Sequence, residues 1–221
     1  MINTAVIFAA GKGTRMRPFT EHTPKALAPI NAQETLLSWR IKQCLLAGIE
    51  RLIINTAYLA PQIHDVINAY KSEVEVILSY EKIALETGGT IKSLLPILGE
   101  DAFFIINNDM VWESGYQLLL DMKEKYNNTA FLLAATALEN TNGYEGNGDF
   151  NIDTNGRILF NTKQSPYIYC GIGIMQPYCL SEIKGSVFSL SKMFRTNACN
   201  AFVMHEKWTH IDTVTKLKKL N

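Results

Sequence analysis

Residues 9–26 read AAGKGTRMRPFTEHTPKA, a run of two glycines, four basic side chains and two prolines that directly follows an apolar stretch. Gly11 and Gly13 let the backbone turn tightly and aim N–H groups at an anion. Arg15 offers a planar fork and Lys25 a point charge, a combination suited to a polyphosphate. The same residues also fit a surface loop with solvated charges, and spacing alone leaves both readings open. A Walker A loop is excluded, because four residues must separate its first glycine from Gly-Lys-Ser/Thr. A dinucleotide fingerprint is excluded as well: Met16 stands where the third glycine belongs, and the loop is basic.

Two further segments carry candidate chemistry. LETGGTI (85–91) reads as a helix start, with Thr87 as an N-cap and Gly88 and Gly89 allowing close approach of a ligand. A simple capped loop fits it equally. In IINND (105–109) an apolar strand ends on Asn108 and Asp109. Asn108 tolerates positive φ, and Asp109 is either a turn former or a cation ligand.

Such residues need a scaffold to bring them together. TAVIFAA (4–10), RLIINT (51–56), VEVILSY (74–80) and AFFIIN (102–107) are apolar runs of strand length. Between them lie helical patterns: 34–49 with Leu37, Ile41, Cys44 and Leu45 on one face and Gly48 closing it, 60–70, and 87–98. Apolar strands alternating with amphipathic helices predict a doubly wound, mostly parallel, Rossmann-like α/β sheet covered on both faces. Ligands of such sheets bind beyond the C-terminal strand ends. From Thr141 to Gly156 the chain carries three Asn-Gly pairs, followed by RILF and YIYCGIGIM. This texture predicts a hairpin-rich insertion and antiparallel additions within one domain, 1–221.

Composition narrows the function. The 221 residues hold 21 basic and 21 acidic side chains, and zero net charge argues against a nucleic-acid partner. No stretch has the length of a bilayer span, and no signal peptide is evident, so a cytoplasmic protein without a membrane partner is expected. Cys44, Cys170, Cys179 and Cys199 form no CxxC and no zinc spacing, consistent with reduced, buried thiols.

The opening loop resembles the signature of the sugar-1-phosphate nucleotidyltransferases, roughly (L/F)AAG-x-G-T/x-R-(M/L)-x-P-(L/F)-T-x-x-x-P-K. The resemblance implies that Ala10, Gly11, Gly13 and Thr14 wrap a nucleoside triphosphate. It also implies that Arg15 holds the departing pyrophosphate and that Lys25 neutralises the reacting phosphates. It extends to LETGGTI, where Glu86, Thr87 and Gly88 would meet the nucleobase with Asn108 nearby, and to IINND, where Asp109 would bind Mg2+. Family members end in W-x-D-(V/I)-G-T, whose aspartate is the second metal ligand; here the segment is WTHIDT (208–213). His210 falls on the aspartate and Asp212 on the glycine. The two share a face if the strand continues, and magnesium's preference for oxygen favours Asp212. Asp212 equally suits an N-cap of the last helix.

Within the family, the compact length and ETGG most resemble the N-acetylmuramate-1-phosphate uridylyltransferases, as do GNGDF (146–150), YCGIGIM (169–175) and FSLSKMF (188–194). The resemblance implies a sugar-phosphate role for Asp149 and Gly171; longer relatives carry a Glu-Lys-Pro sugar-phosphate motif after the insertion, where this chain has NTKQSP (161–166) with Lys163 as the candidate. The substrates implied are UTP and a sugar 1-phosphate. Mannose-1-phosphate guanylyl transfer and a catalytically silent nucleotide-sugar sensor are the alternatives. The oligomeric state is left open.

Overall fold

A computed structural model describes residues 2–220 except 143, 161 and 182. Gly143 of the first Asn-Gly pair and Asn161 therefore lie outside the described residues. The chain runs β1 (Thr4–Phe8), α1 (Leu36–Leu46), β2 (Arg51–Thr56), α2 (Ala60–Asn68), β3 (Glu75–Tyr80), α3 (Glu86–Leu98) and β4 (Phe103–Asn107). It continues through β5 (Met110–Trp112), α4 (Gln117–Lys125), β6 (Phe131–Ala137), β7 (Thr141–Asn142), β8 (Asn151–Ile152) and β9 (Ile158–Leu159). The last elements are β10 (Tyr167–Met175), α5 (Leu190–Thr196), β11 (Cys199–Met204), β12 (Trp208–His210) and α6 (Val214–Lys218).

The main sheet has the order β11-β6-β10-β4-β1-β2-β3. Strands β4, β1, β2 and β3 are mutually parallel, while β10 lies antiparallel between β4 and β6. From β1 the chain steps outward to β2 and β3, then α3 carries it back to β4 on the other side of β1. The strand order reverses between β1 and β4, and that is where a crevice opens in such sheets. The expected doubly wound architecture is present, with β10 as the antiparallel addition.

Alternation along the strands divides the core. Ala5, Ile7, Leu52, Ile54, Phe104 and Ile106 face α1, α2 and α4, packing on Leu37, Ile41, Cys44, Ile63 and Leu119. Val6, Ile53, Phe103 and Ile105 face α3 and α5, against Ile91, Leu94, Met193 and Phe194. Both faces of the central strands are buried, which is why their sequences are apolar throughout. A capping box starts α1: Thr35 Oγ1 accepts from the Ser38 amide, and the Ser38 hydroxyl accepts from the Thr35 amide. Gly48, at φ +70, follows its C-terminus as the pattern predicts.

The insertion is smaller than its sequence texture suggests. It pairs β8 with β9 around a turn in which Asp153 Oδ1 accepts from the Asn155 and Arg157 amides. A second sheet, β5-β12-β7, brings Trp208–His210 against Met110–Trp112. All four cysteines are buried free thiols, and burial pushes Cys44 and Cys199 up to about 12. Among the described residues no helix is long and apolar enough to cross a membrane.

Gly171 marks a bulge in β10, where the register with β6 shifts between Tyr169 and Gly173. Its φ is +78, and an added Cβ would come within 2.8 Å of Met110 Cγ and 3.1 Å of Asn107 Cβ. Its position is thus explained by packing behind β4 and β5. Gly171→Ala is expected to cost about 1–3 kcal/mol through left-handed strain and overpacking. Urea denaturation checks this; an unchanged midpoint would mean that the bulge relaxes without cost.

Candidate active site at the switch point

A cavity of about 320 Å3 sits at the C-terminal ends of β1, β2 and β4. Of the residues singled out in the sequence, Ala10, Gly11, Lys25, Glu86, Thr87, Asn108 and Asp109 line it, together with Asn55, Glu81 and Thr90, which sequence reasoning missed.

Asn55 at the end of β2 organises the cavity wall. Its Oδ1 accepts from the amides of Ala9 (2.7 Å) and Ala10 (3.3 Å), fixing the exit of β1 into the glycine loop. Its Nδ2 donates to Glu81 Oε1 at 2.8 Å and to Thr90 Oγ1 at 3.3 Å. The Thr90 hydroxyl donates to the same Glu81 carboxyl, whose other oxygen accepts from the Leu85 amide. One buried amide therefore ties the loop after β1 to the N-terminal end of α3. The available signal was Asn55 itself, a polar residue that directly follows the apolar run LII (52–54).

Beyond Ala10 the loop is open: nothing lies within 4 Å of a Cβ placed on Gly11. Gly13 adopts φ +60, and Lys25 Cβ and Thr20 Cγ2 lie within about 3 Å of where a Cβ would stand, so both conformation and space call for glycine. Gly13, Thr14 and Arg15 lie outside the cavity lining, along the outer turn. Met16 anchors that turn in a small core with Ala28, Leu36, Ile211 and Leu217. The anchor draws the basic loop against the C-terminal segment.

Two ionic clusters result. Lys25 Nζ donates to Asp109 Oδ2 at 2.6 Å, and His210 Nε2 lies 3.2 Å from the same oxygen. Burial pushes the Asp109 carboxyl up, but its bonds to His210 and Lys25 outweigh that and hold it well below the usual carboxylate range. Asp212 is occupied elsewhere. Its Oδ2 accepts from Arg15 Nη1 at 2.6 Å, and Lys216 Nζ stands 2.7 Å from its Oδ1. Burial raises its carboxyl and these cations lower it, with a net shift downward.

Several expectations need correction. Strand β12 ends at His210, so 210 and 212 do not continue one strand face. His210 stands beside Asp109, while Asp212 faces Arg15. The N-cap of α6 is Thr213, whose Oγ1 accepts from the Lys216 amide, rather than Asp212. Thr87 is not an N-cap either: its hydroxyl accepts from the Leu190 amide at 3.0 Å. Gly88 and Gly89 serve close chain packing, not ligand approach. Both amides donate to the Phe188 carbonyl, and a Cβ on Gly88 would meet the Phe188 ring at 2.3 Å. Asn108 does not use positive φ; it is buried, with both amide atoms unpartnered. Asp149 Oδ2 accepts from the Tyr169 amide, tying the insertion to β10, and Lys163 is exposed before β10; neither lines the cavity. Among the described residues no group of three His, Cys, Asp or Glu side chains is arranged to hold a metal ion.

A cavity at the strand-order reversal, edged by a glycine loop and a Lys–Asp pair, is the candidate site of this fold. The nucleotidyl transferase family profile matches residues 4–159. The chain belongs to that family, the sugar-1-phosphate nucleotidyltransferases. An N-acetylmuramate alpha-1-phosphate uridylyltransferase of Neisseria meningitidis is 31% identical over 97% of this chain and 95% of its own. The same-named protein of Caulobacter vibrioides is 28% identical, covering 94% of this chain and 90% of its own. In fold, the chain is similar to HddC from Yersinia pseudotuberculosis complexed with GMP-PN, with a TM-score of 0.81, 21% identity, and coverage of 99% and 98%.

Asn55→Ala is expected to leave the Ala9 and Ala10 amides and the Glu81 and Thr90 side chains short of a partner. Each unsatisfied buried group costs about 1–3 kcal/mol, so a clear fall in the urea midpoint should accompany weaker nucleotide binding. Unchanged stability and affinity would show that water takes over the amide's bonds.

Proposed function

We propose that residues 1–221 form one cytoplasmic nucleotidyltransferase domain. It transfers the uridylyl group of UTP to a sugar 1-phosphate, with N-acetylmuramate 1-phosphate as the first candidate, and releases pyrophosphate. The observation that carries this reading is the convergence of Gly11, Lys25 and Asp109 on one cavity at the switch point. The names of the two relatives support the choice of base and sugar.

The reaction needs no protein nucleophile. A phosphate oxygen of the sugar 1-phosphate attacks the α-phosphorus, a P–O bond forms, and the bond to the β-phosphate breaks with its electron pair leaving on pyrophosphate. Repulsion between anions is the barrier, so catalysis consists of positioning and charge neutralisation. The amides after Ala10 receive the triphosphate. Lys25, with 14% of its side chain exposed, is a fixed cation at the reacting phosphates. Arg15, at 66%, is free to leave Asp212 for the β- and γ-phosphates.

Mg2+, when bound, would supply further neutralisation of the triphosphate. The residues fit it with Asp109 as the carboxylate ligand and His210 alongside, since magnesium commonly takes one or two carboxylates and completes its shell with phosphates and water. Asp212, held by Arg15 and Lys216, is assigned to loop positioning instead of the ligand role first expected for it.

A pyrophosphate-release screen of four NTPs against sugar 1-phosphates tests the reading. UTP with N-acetylmuramate 1-phosphate should lead. GTP with mannose 1-phosphate leading would move the chain to guanylyl transfer, and nucleotide binding without turnover would make it a sensor. Lys25→Ala should lower kcat by about 10²–10³ with the fold intact. His210→Asp should reduce the Mg2+ concentration for half-maximal rate, because a carboxylate binds this hard cation better than an imidazole. An unchanged requirement would remove His210 from the metal's surroundings.

A further inference from the structure

Arg40 is a guanidinium where the helix pattern calls for an apolar side chain. It lies on the inward face of α1 between Leu37 and Ile41 and is 0% exposed. Among the described residues no carboxylate pairs with it. Its carbon Cζ stands 4.1 Å from the Trp112 ring centroid and 4.9 Å from that of Trp39, and the two indoles meet edge to face at 5.1 Å. One nitrogen, Nη2, donates to the Met110 carbonyl, while Nε and Nη1 have no partner among the described residues. Burial works against the charge and brings the guanidinium down, while Cys44 and, after it, Asp109 favour the charge. A buried, incompletely bonded cation is costly, and methionine or leucine would fill the same volume more cheaply. Stability does not account for it.

Its single bond points to a role. Met110 follows Asp109 and opens β5, whose partner β12 carries His210 in the pair His210↔Met110. The Asp109 carbonyl accepts from the Ile211 amide at 2.8 Å, so the turn is held on the β12 side by backbone. On the α1 side it is held by Arg40, with the two indoles fixing the fork in position. Leu36, one turn earlier on the same helix, lines the cavity. We propose that Arg40 is a positioning residue: it clamps the Asp109–Met110 turn and thereby sets where the Asp109 carboxylate stands relative to Lys25 and His210.

The proposal rests on the transferase reading, in which Asp109 acts on the reacting phosphates. Its test is a cycle of Arg40→Met, Arg40→Lys, Asp109→Asn and the Arg40→Met/Asp109→Asn pair, with kcat and KM for UTP measured separately alongside thermal unfolding. Misplacing a supporting shell lowers rates by about 10–100-fold. Arg40→Met should therefore lose about that much in kcat, while KM stays within about threefold because the Asn55 wall is untouched. Arg40→Lys should recover part of the loss. In the Asp109→Asn background Arg40→Met should cost little more, since Arg40 acts through Asp109. Wild-type kcat in Arg40→Met, or an equal loss with and without the Asp109 carboxylate, overturns the inference. Should Arg40→Met fail to fold, Arg40→Lys decides: a selective fall in kcat supports the clamp, and unchanged kcat rejects it. If the wild-type protein shows no transferase turnover, the functional reading has failed, which is a separate result.

Discussion

The carboxylate of Asp109 is the point on which the site depends. Lys25, Asp109 and His210 come from three distant parts of the chain, and they meet on one oxygen. Removing such groups from water is expensive unless each charge is answered, and here two donors answer one acceptor. The surrounding architecture meets that requirement. The return of the chain through α3 to β4 places Asp109 beside the exit of β1. The Met16 anchor folds the basic loop back so that Lys25 arrives, and the small β5–β12 sheet delivers His210.

The two cationic residues of the loop are held differently, and this bears on their roles. Lys25 is mostly buried and packs against Gly13, so its ammonium is part of the rigid wall. Arg15 lies on the outer turn, largely in water, with its guanidinium borrowed by Asp212. A pair with one partner so exposed is weak, on the order of 1 kcal/mol or less, and is readily exchanged for a polyphosphate. The fold thus combines one preorganised charge in the cavity wall with one transferable charge on the outer turn.

The sheet, its order of helices and strands, and the loop's lining residues Ala10, Gly11 and Lys25 were legible because apolar periodicity and dense motifs are local signals. The missed residues share a different property. Asn55, Glu81 and Arg40 act through bonds to segments that only the fold brings near, and no motif surrounds any of them. Gly88 and Gly89 illustrate the converse. Their small size is genuinely required, but the neighbours that require it are Phe188 for Gly88 and the Ser186 carbonyl for Gly89, each about a hundred residues away along the chain, and no local pattern distinguishes that from room for a ligand. In WTHIDT, too, strand periodicity was extended two residues too far, because the backbone leaves β12 at His210.

Occupation of the α3 start by Phe188 constrains how a base can be recognised. The Gly88 and Gly89 amides are spent on the Phe188 carbonyl, so the helix terminus offers little of its usual affinity for a ligand acceptor. What faces the cavity instead is the Asn55–Glu81–Thr90 network and the backbone around Ala84, Glu86 and Thr87. Glu86 itself sits at φ +58, a conformation that costs a non-glycine residue about 1–2 kcal/mol. The strain persists because both flanks are fixed: the Leu85 amide is bonded to Glu81, and Thr87 is bonded to the start of α5. A strained residue held from both sides at a cavity edge presents its backbone groups in one fixed arrangement. The cavity edge beside α3 is therefore a rigid backbone strip backed by a buried carboxyl network.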